Sequence, residues 1–479
     1  MIHNHMLNER IRPQPTRRID PTHAERQGRQ FGRMIEDIKR GPDFLAAELN
    51  EKLGTITAIL TGKASMADMN RVIEKAAEAY PIQRGAFEVV HDDTDDGAVI
   101  MHADEVANTK RTFIRVNGRG GNVEYYDYWD SAMSRVGMQL KPEKIRPLVT
   151  VKDTDPDNPE AVYNKGHFQH QTTFYIGEIN YYYRDSAGSH MIEMNTGDSS
   201  YHTPYVPHTF TNRDPTQEAY IMAVTFGLKL EAATQQELSV LSPRKVAETL
   251  IDLSSSQSAF SGLLKMKLGE SLMPPQVLTQ LSNIGVERIN ALLKGEDVPQ
   301  PEELVQLAHT LGVNVRDLMP PDAATADQVV VMKKKDNKQW HYPNEENPTY
   351  LIRKLAGSTK VSAAQSISLQ PLNRGKSVNE KSFDLTTPMH TFGYNYSDEP
   401  ADLYWEGAKG VRHSILEPGT SFYMKPLVGY TVRSSGAPSE LLIMKIGGNL
   451  WGDTFFELSS LQEKAVSRLL QETGTGKWY

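Results

Sequence analysis

Two hydrophobic periods alternate along this chain. From about Phe31, apolar residues recur at three- and four-residue spacing in four short stretches, FGRMIEDIKR, PDFLAAELN, TITAILTGKA and MADMNRVIEKAAEAY, parted by Gly and Pro. That spacing gathers them on one face of a helix, and the breaks predict a small bundle of the helix-turn-helix kind over 31–84. The period then drops to two. Over 85–230, short alternating runs with turn residues roughly every eight to twelve positions predict the strands of a β-barrel or sandwich.

The pattern then repeats. ERINALLKGEDVPQPEELVQLAHTLGVNVRDL, within a second helical stretch at 259–322, can be laid over GTITAILTGKASMADMNRVIEKAAEAYPI, so that Ala58–Gly62 falls on Ala291–Gly295. The Gly closing each segment is where a left-handed helix C-cap is expected. A second strand-rich region spans 323–450, and GDSSYHTPYVPHTFTNR overlays GTSFYMKPLVGYTVRSS, putting His202 on Met424 and His208 on Tyr430. The expected architecture is α+β, a tandem repeat of a helical domain and a barrel. A polar arm (1–30) precedes it, a linker helix (231–258) joins the halves, and a tail helix (451–479) closes it. The overlay leaves the second barrel without candidate ligands, so the first is expected to carry the chemistry.

Composition narrows that chemistry. At 479 residues, 39% hydrophobic and 23% charged, the chain has apolar material for several cores. It contains no cysteine, so thiolate metal sites, iron–sulfur clusters and cysteine nucleophiles are excluded, and any metal must take nitrogen and oxygen ligands. The opening MIHNHMLNERIRPQPTRR has no apolar core of a secretory signal and no run suffices to span a bilayer, so a cytoplasmic location without membrane contact is expected.

NKGHFQHQTTFYIGEINYYY reads as a strand, along which His167, Gln169 and Gln171 share one face while Phe168 and His170 point the other way. A His and an oxygen donor four residues apart can touch one ion inside a barrel, and His208, in YVPHTF, is the natural second imidazole from another strand. Two imidazoles and one oxygen donor resemble the facial triad of non-haem iron oxygenases, with a neutral amide replacing the usual carboxylate. His202 is a rival ligand, and His170 or Glu178 would serve if the register slips. A histidine on a strand is more often a hydrogen-bonded structural residue than a ligand. Arg115 and Arg119 in RVNGRGG, with Tyr125, Tyr126 and Tyr128 in VEYYDYWD, add donors suited to a phosphonate, phosphate or carboxylate.

At these residues the sequence resembles the helix-turn-helix plus cupin oxygenases of phosphonate metabolism, a group that includes 2-hydroxyethylphosphonate dioxygenases, methylphosphonate synthases and hydroxypropylphosphonate epoxidases. The resemblance lies in Asn164-Lys165-Gly166-His167, in Gln171 four residues after His167, in Tyr205-Val206-Pro207-His208, in the Tyr126/Tyr128 pair and in the doubled domain order. It implies a bicupin whose first barrel holds Fe(II) through His167, Gln171 and His208, with O2 as co-substrate. Where the epoxidase pattern has Glu and the dioxygenase pattern a carboxylate six residues before the last His, this chain has Gln171 and His202. A His-Gln-His set is similar to that of the methylphosphonate synthases. The resemblance then implies cleavage of the carbon–carbon bond of 2-hydroxyethylphosphonate to methylphosphonate and carbon dioxide, without added reductant. It further implies that Asn164, Tyr126, Tyr128 and Arg119 hold the phosphonate or order the oxygen, and that a lysine from a helical domain, here Lys39, reaches the site in a homo-oligomer.

Two other functions compete. The same site acting as a dioxygenase would give hydroxymethylphosphonate and formate. A transcription regulator with a cupin sensor is the non-enzyme alternative, since helix-turn-helix units commonly read the major groove. Charge weighs against it: Phe31 to Ile82 carries seven Lys/Arg against eight Asp/Glu, Phe260 to Asp322 five against eight, and the whole chain is at -8. A DNA reader should be locally basic.

Overall fold

The computed structural model describes residues 21–467 and 469, apart from 138–139, 229, 231, 321–327, 360, 362, 374–377 and 379–382. The chain is a mixed helix-and-sheet protein of two compact units, 1–93 with 453–479, and 94–452.

The smaller unit holds the helices Pro21–Asp37, Pro42–Glu48, Leu53–Leu60 and Met66–Ala79. Their apolar faces meet in a core of Phe31, Ile35, Leu45, Ile56, Ile59, Val72, Ile73 and Phe87. The first helix starts at Pro21 instead of near Phe31, so part of the expected arm is helical; the rest, 1–20, lies outside the described residues. No apolar period announced this extension because polar and small residues dock it. The Gln27 side chain donates to the Phe87 carbonyl and accepts from Val89 N at 2.8 Å. Gly28 packs on the third helix so closely that a Cβ there would stand 2.2 Å from the Ile59 carbonyl oxygen. Gly28→Ala is therefore expected to destabilise the chain by about 1–3 kcal/mol through forced separation of the two helices. Gly41→Ala, with open space around it, should stay within about 0.5 kcal/mol. Thermal melts of the two variants check this, and equal melts would mean that the helices are not in contact.

The larger unit contains the same sheet arrangement twice. One seven-stranded sheet runs in the order Val329–Met332, Ser199–His202, His170–Ile176, Tyr220–Phe226, Lys141–Pro147, Asn122–Asp130, Arg111–Val116. The other runs Ala98–Met101, Ser421–Met424, His390–Asn395, Leu441–Ile446, Ala364–Pro371, Tyr350–Lys354, Gln339–Tyr342. Each is packed by a three-stranded sheet, Gly188–Met194, Ile179–Asp185, His208–Asn212 in the first half and Gly410–Leu416, Ala401–Gly407, Tyr430–Ser434 in the second. Tyr126, Ile145, Tyr175 and Ile221 from the large sheet meet Ile179, Tyr181, Met194 and Phe210 from the small one. Ladder pairing does not close either half into a ring, so the expected barrels are pairs of packed open sheets.

The halves also trade an edge strand. Ala98–Met101 pairs with Ser421–Met424, and Val329–Met332 pairs with Ser199–His202. The expected division at 230 and 323 therefore misassigns one strand in each direction. AVIM and VVVM read as strands, but apolar alternation does not say which sheet edge a strand will cover. Phe174, Tyr201 and Met222 share a core with Phe392, Tyr423 and Met444, so the halves are fused through their interiors as well.

The expected linker helix is two helices, Ala232–Ser239 and Pro243–Thr249, broken where Ser242 caps the second and Pro243 begins it. Ser256–Glu270, Pro275–Ser282, Val286–Lys294 and Pro301–Leu311 then pack around Leu264, Leu278, Ile289 and Leu307. The expected left-handed glycines are both present, Gly62 at φ 66° and Gly295 at φ 71°. The tail has a helix at Asp453–Ser460 and helical residues 463–467, while 470–479 lie outside the described residues. Among the described residues no helix is long and apolar enough to cross a membrane.

Candidate metal centre

His167 precedes its expected strand, which starts at His170. It is held in place by backbone: its carbonyl accepts from Tyr205 N at 2.8 Å, and Tyr205 sits at a left-handed φ of 63°. Gln171 lies in the strand, directly across the ladder from His202. His208 opens the strand of the small sheet. The three imidazole rings converge, with centroids 4.2 Å (His202–His208), 5.3 Å (His167–His208) and 5.4 Å (His167–His202) apart. One nitrogen from each lies within 4.8 Å of the other two.

Each ring is oriented by a backbone carbonyl on its Nδ1 side: Gln169 O for His167 (2.9 Å), Thr203 O for His202 (3.0 Å) and Val206 O for His208 (2.8 Å). A neutral imidazole that donates from Nδ1 keeps its lone pair on Nε2, the tautomer a metal requires. Burial favours the neutral form, pushing His208 down to about 3 and His202 well below its ordinary value, with neighbouring imidazoles adding to both shifts. His167 Nε2 stands 3.1 Å from Gln171 Oε1, and Gln171 Nε2 donates to Thr173 Oγ1 at 2.8 Å. With the amide oriented this way, two lone pairs face each other across that gap, an arrangement that a cation relieves. The donor set fits a divalent metal with nitrogen and oxygen preference.

Above these donors opens a cavity of about 200 Å³ lined by His167, Gln171, His208, Asn164, Tyr128 and Arg115, among others. The Arg115 guanidinium lies 4.8 Å from the ring centres of Tyr125 and Tyr126 and donates to Val162 O at 2.6 Å. Asn164 Oδ1 accepts from His208 N (3.0 Å) and Gly166 N (2.9 Å), which turns its Nδ2 toward His208 Nε2 at 3.1 Å. The Tyr128 hydroxyl has no hydrogen-bond partner among the described residues, and burial pushes its pKa up, so it stays a neutral donor.

Arg119 is placed elsewhere. Its side chain is 74% exposed and pairs with Glu160 at 3.3 Å, so the arginine at the cavity is Arg115. The glycines of RVNGRGG hid the register that separates the two. Lys39 belongs to the helical unit, where its left-handed φ of 60° follows the first helix. Lys141 and Glu143 also line the cavity, 3.3 Å apart. Their alternation in KPEKIRP was visible, but nothing in it marked the face.

Comparison of the halves sorts the remaining polar residues. His170 bonds Tyr201 (2.7 Å) on the reverse face of its strand, and His390 bonds Tyr423 (2.6 Å) in the second half. The Tyr126 hydroxyl meets Thr209 (2.9 Å) and accepts from Phe210 N, as Tyr350 meets Thr431 (2.8 Å) and accepts from Val432 N. These pairs are retained in both halves and read as scaffold. The clustered donors are not retained. Leu427 N bonds Thr387 O (2.7 Å) as Tyr205 N bonds His167 O, and Thr391 pairs with Met424 as Gln171 pairs with His202. Thr387, Thr391, Met424 and Tyr430 thus stand where the first half has His167, Gln171, His202 and His208.

No family model matches the sequence. Over 450 residues, 94% of each chain, it is 34% identical to methylphosphonate synthase of Nitrosopumilus maritimus (strain SCM1). It is 28% identical over 194 residues to (S)-2-hydroxypropylphosphonic acid epoxidase of Streptomyces wedmorensis, 40% of this chain and 90% of the epoxidase. The solved structure of Streptomyces albus HEPD with 2-hydroxyethylphosphonate and Fe(II) bound superposes at a TM-score of 0.85, with 29% identity over 95% of this chain and 99% of that one. Fold and imidazole cluster together define a non-haem iron oxidoreductase of the phosphonate-processing class. Within that class, the chain belongs to the methylphosphonate synthase family.

Proposed function

We propose that this chain cleaves the carbon–carbon bond of 2-hydroxyethylphosphonate with O2, giving methylphosphonate, carbon dioxide and water. The observation that carries the reading is the cluster of neutral donors in the first half, absent from the matching positions of the second. In this reading each half is a cupin preceded by a helix-turn-helix domain, and the second cupin carries no metal. His167, Gln171 and His208 hold Fe(II), which supplies a Lewis-acidic centre able to bind substrate and O2 side by side.

The residues around the ion bind and orient the substrate. Arg115 presents a guanidinium fork to the phosphonate, while Lys141 and Glu143, paired on the same wall, balance each other's charge. A metal on His208 Nε2 takes the lone pair that Asn164 Nδ2 otherwise uses, freeing that amide to donate to a phosphonate oxygen. Tyr128 supplies a neutral O–H. Tyr126, named with it from sequence, supports this wall through Thr209 and Phe210. An all-neutral protein donor set leaves the ion's charge to be balanced by the substrate dianion. Lys39 from a second subunit, and homo-oligomerisation itself, belong to the same reading, which requires no nucleic acid.

Proton and phosphorus NMR of the anaerobically iron-loaded protein, given substrate and then O2, tests the proposal. A methyl doublet split by phosphorus is expected. Hydroxymethylphosphonate with formate in its place would assign the dioxygenase reaction and overturn the synthase reading.

A further inference from the structure

We propose that Phe210, Tyr181 and Tyr183 form a redox relay that carries stray oxidising equivalents from the metal centre to the protein surface. The proposal rests on the reading of the first half as an iron centre and goes beyond its reaction, because it concerns encounters with O2 in which substrate is not consumed.

The relay is a row of rings on the small sheet of the first half. Ring centres are spaced 5.8 Å from His208 to Phe210, 5.3 Å on to Tyr181, 5.4 Å to Tyr183 and 4.6 Å to His190. The last three contacts are stacked, with interplanar angles of 17°, 29° and 18°. Rings this close are in aromatic contact, so an electron can tunnel from one to the next without crossing an empty gap. The ladder fixes the order: Tyr181 pairs with Phe210, Tyr183 with His208, and His190 with Tyr183 from the other side. Tyr181 is wholly buried, whereas Tyr183 is half-buried. The His190 side chain, 33% exposed, meets Asp185 Oδ1 at 2.9 Å. The row therefore starts at a metal-binding imidazole and ends at solvent.

The second half supplies the control. Its ladder repeats the pairing, with Leu403 opposite Val432, Trp405 opposite Tyr430 and Arg412 opposite Trp405. Leu403 and Val432, both fully buried, stand where the first half has Tyr181 and Phe210. The fold thus accepts aliphatic side chains in these slots, and the row is broken in the half whose matching positions carry no imidazole cluster. Packing also gives no reason for the Tyr181 hydroxyl, which is buried without a hydrogen-bond partner among the described residues, at a cost of about 1–3 kcal/mol. The chain contains no cysteine, and methionine is oxidised by gaining an oxygen atom. Tyrosine and tryptophan are left as the side chains that most readily give up a single electron.

When O2 reacts at the centre and substrate is not oxidised, an oxidising equivalent is left behind. Tyr183 gives one electron back along the row and releases its phenolic proton to water, so the centre is reduced by one electron and Tyr183 becomes a phenoxyl radical. Tyr181 does not hold the radical, because its buried O–H has no acceptor for the proton. A soluble donor of one electron and one proton, of the ascorbate class, then restores Tyr183 and leaves with the net oxidation.

The test uses the Fe(II)-loaded full chain, mixed with O2 and ethylphosphonate, which lacks the hydroxyl group of the substrate, in the presence of the spin trap 2-methyl-2-nitrosopropane. Peptide mass spectrometry should find the trap adduct on Tyr183, and Tyr183→Phe should lose it. An adduct found only on other residues, or none at all, would overturn the proposal. On 2-hydroxyethylphosphonate, Tyr183→Phe should keep kcat and KM in the first turnovers and complete half as many turnovers or fewer before inactivation; an unchanged number would count equally against the relay. Tyr181→Leu, the residue of the second half, should retain iron and lower the Tyr183 adduct by half or more. An undiminished adduct would remove Phe210 and Tyr181 from the route. Should Tyr181→Leu fail to fold, the adduct map of the unaltered chain decides alone. Methylphosphonate formed without an adduct on Tyr183 would sink the relay and leave the proposed reaction standing. An adduct on Tyr183 in a chain that makes hydroxymethylphosphonate would do the reverse.

Discussion

His208→Ala and His167→Ala are each expected to reduce kcat/KM by a factor on the order of 10³ or more and to lose iron during gel filtration. Losing a positioning contact behind a ligand already costs about 10–100-fold in metal affinity, and losing the ligand itself should cost more. The informative comparison is His170→Phe, three residues from His167 on the opposite face of the chain. Its ring stacks on Phe226 and its Nδ1 bonds Tyr201, a bond repeated by His390 and Tyr423 in the second half, which has no such donor cluster among the described residues. Burial lowers its pKa to about 4, so it is neutral at physiological pH and forfeits no charge when replaced. His170→Phe should retain full iron content and lose about 1 kcal/mol of stability with its hydrogen bond. Iron content measured by chelator assay on purified variants separates the cases. If His170→Phe lost iron as completely as His208→Ala, the metal would have to sit on the other face of the strand.

The contrast between His170 and His167 also shows which parts of this protein could be read from sequence. Period-two alternation put Gln171 and His170 on opposite faces because a strand allows only that choice, whereas His167, just before the strand, is placed by the bond from Tyr205 N to its carbonyl. The duplication was legible because turns and glycines recur at matching places. The exchange of Ala98–Met101 and Val329–Met332 was not, since pairing partners more than a hundred residues apart leave no local mark. The depth of His202 escaped for the same reason: its burial depends on Val329, which arrives from the other half. Arg115 and Arg119 stand four residues apart, and only the irregular ladder between Arg111–Val116 and Asn122–Asp130, which slips between Phe113 and Ile114, decides which faces inward.

That decision gives the second large effect. Arg115→Leu should raise KM for 2-hydroxyethylphosphonate about 100-fold, the loss expected when a charge-assisted fork to a dianion is removed from a partly desolvated site. Arg119→Leu should leave KM within about twofold, because its pair with Glu160 is largely solvated and exposed pairs contribute little. Arg115→Lys keeps the charge and loses the planar fork, and should fall between the two. Arg115 also bonds Val162 O and lies over Tyr125 and Tyr126, so part of any loss could arise from a shifted wall. Iron content separates the two contributions. A binding defect raises KM with the metal retained, whereas a displaced wall disturbs Thr209, beside His208 in its strand, and lowers iron occupancy as well. Steady-state oxygen consumption on iron-quantified protein reads both quantities. If Arg119→Leu raised KM as much as Arg115→Leu, the phosphonate would have to bind near the exposed turn instead of beside the imidazoles.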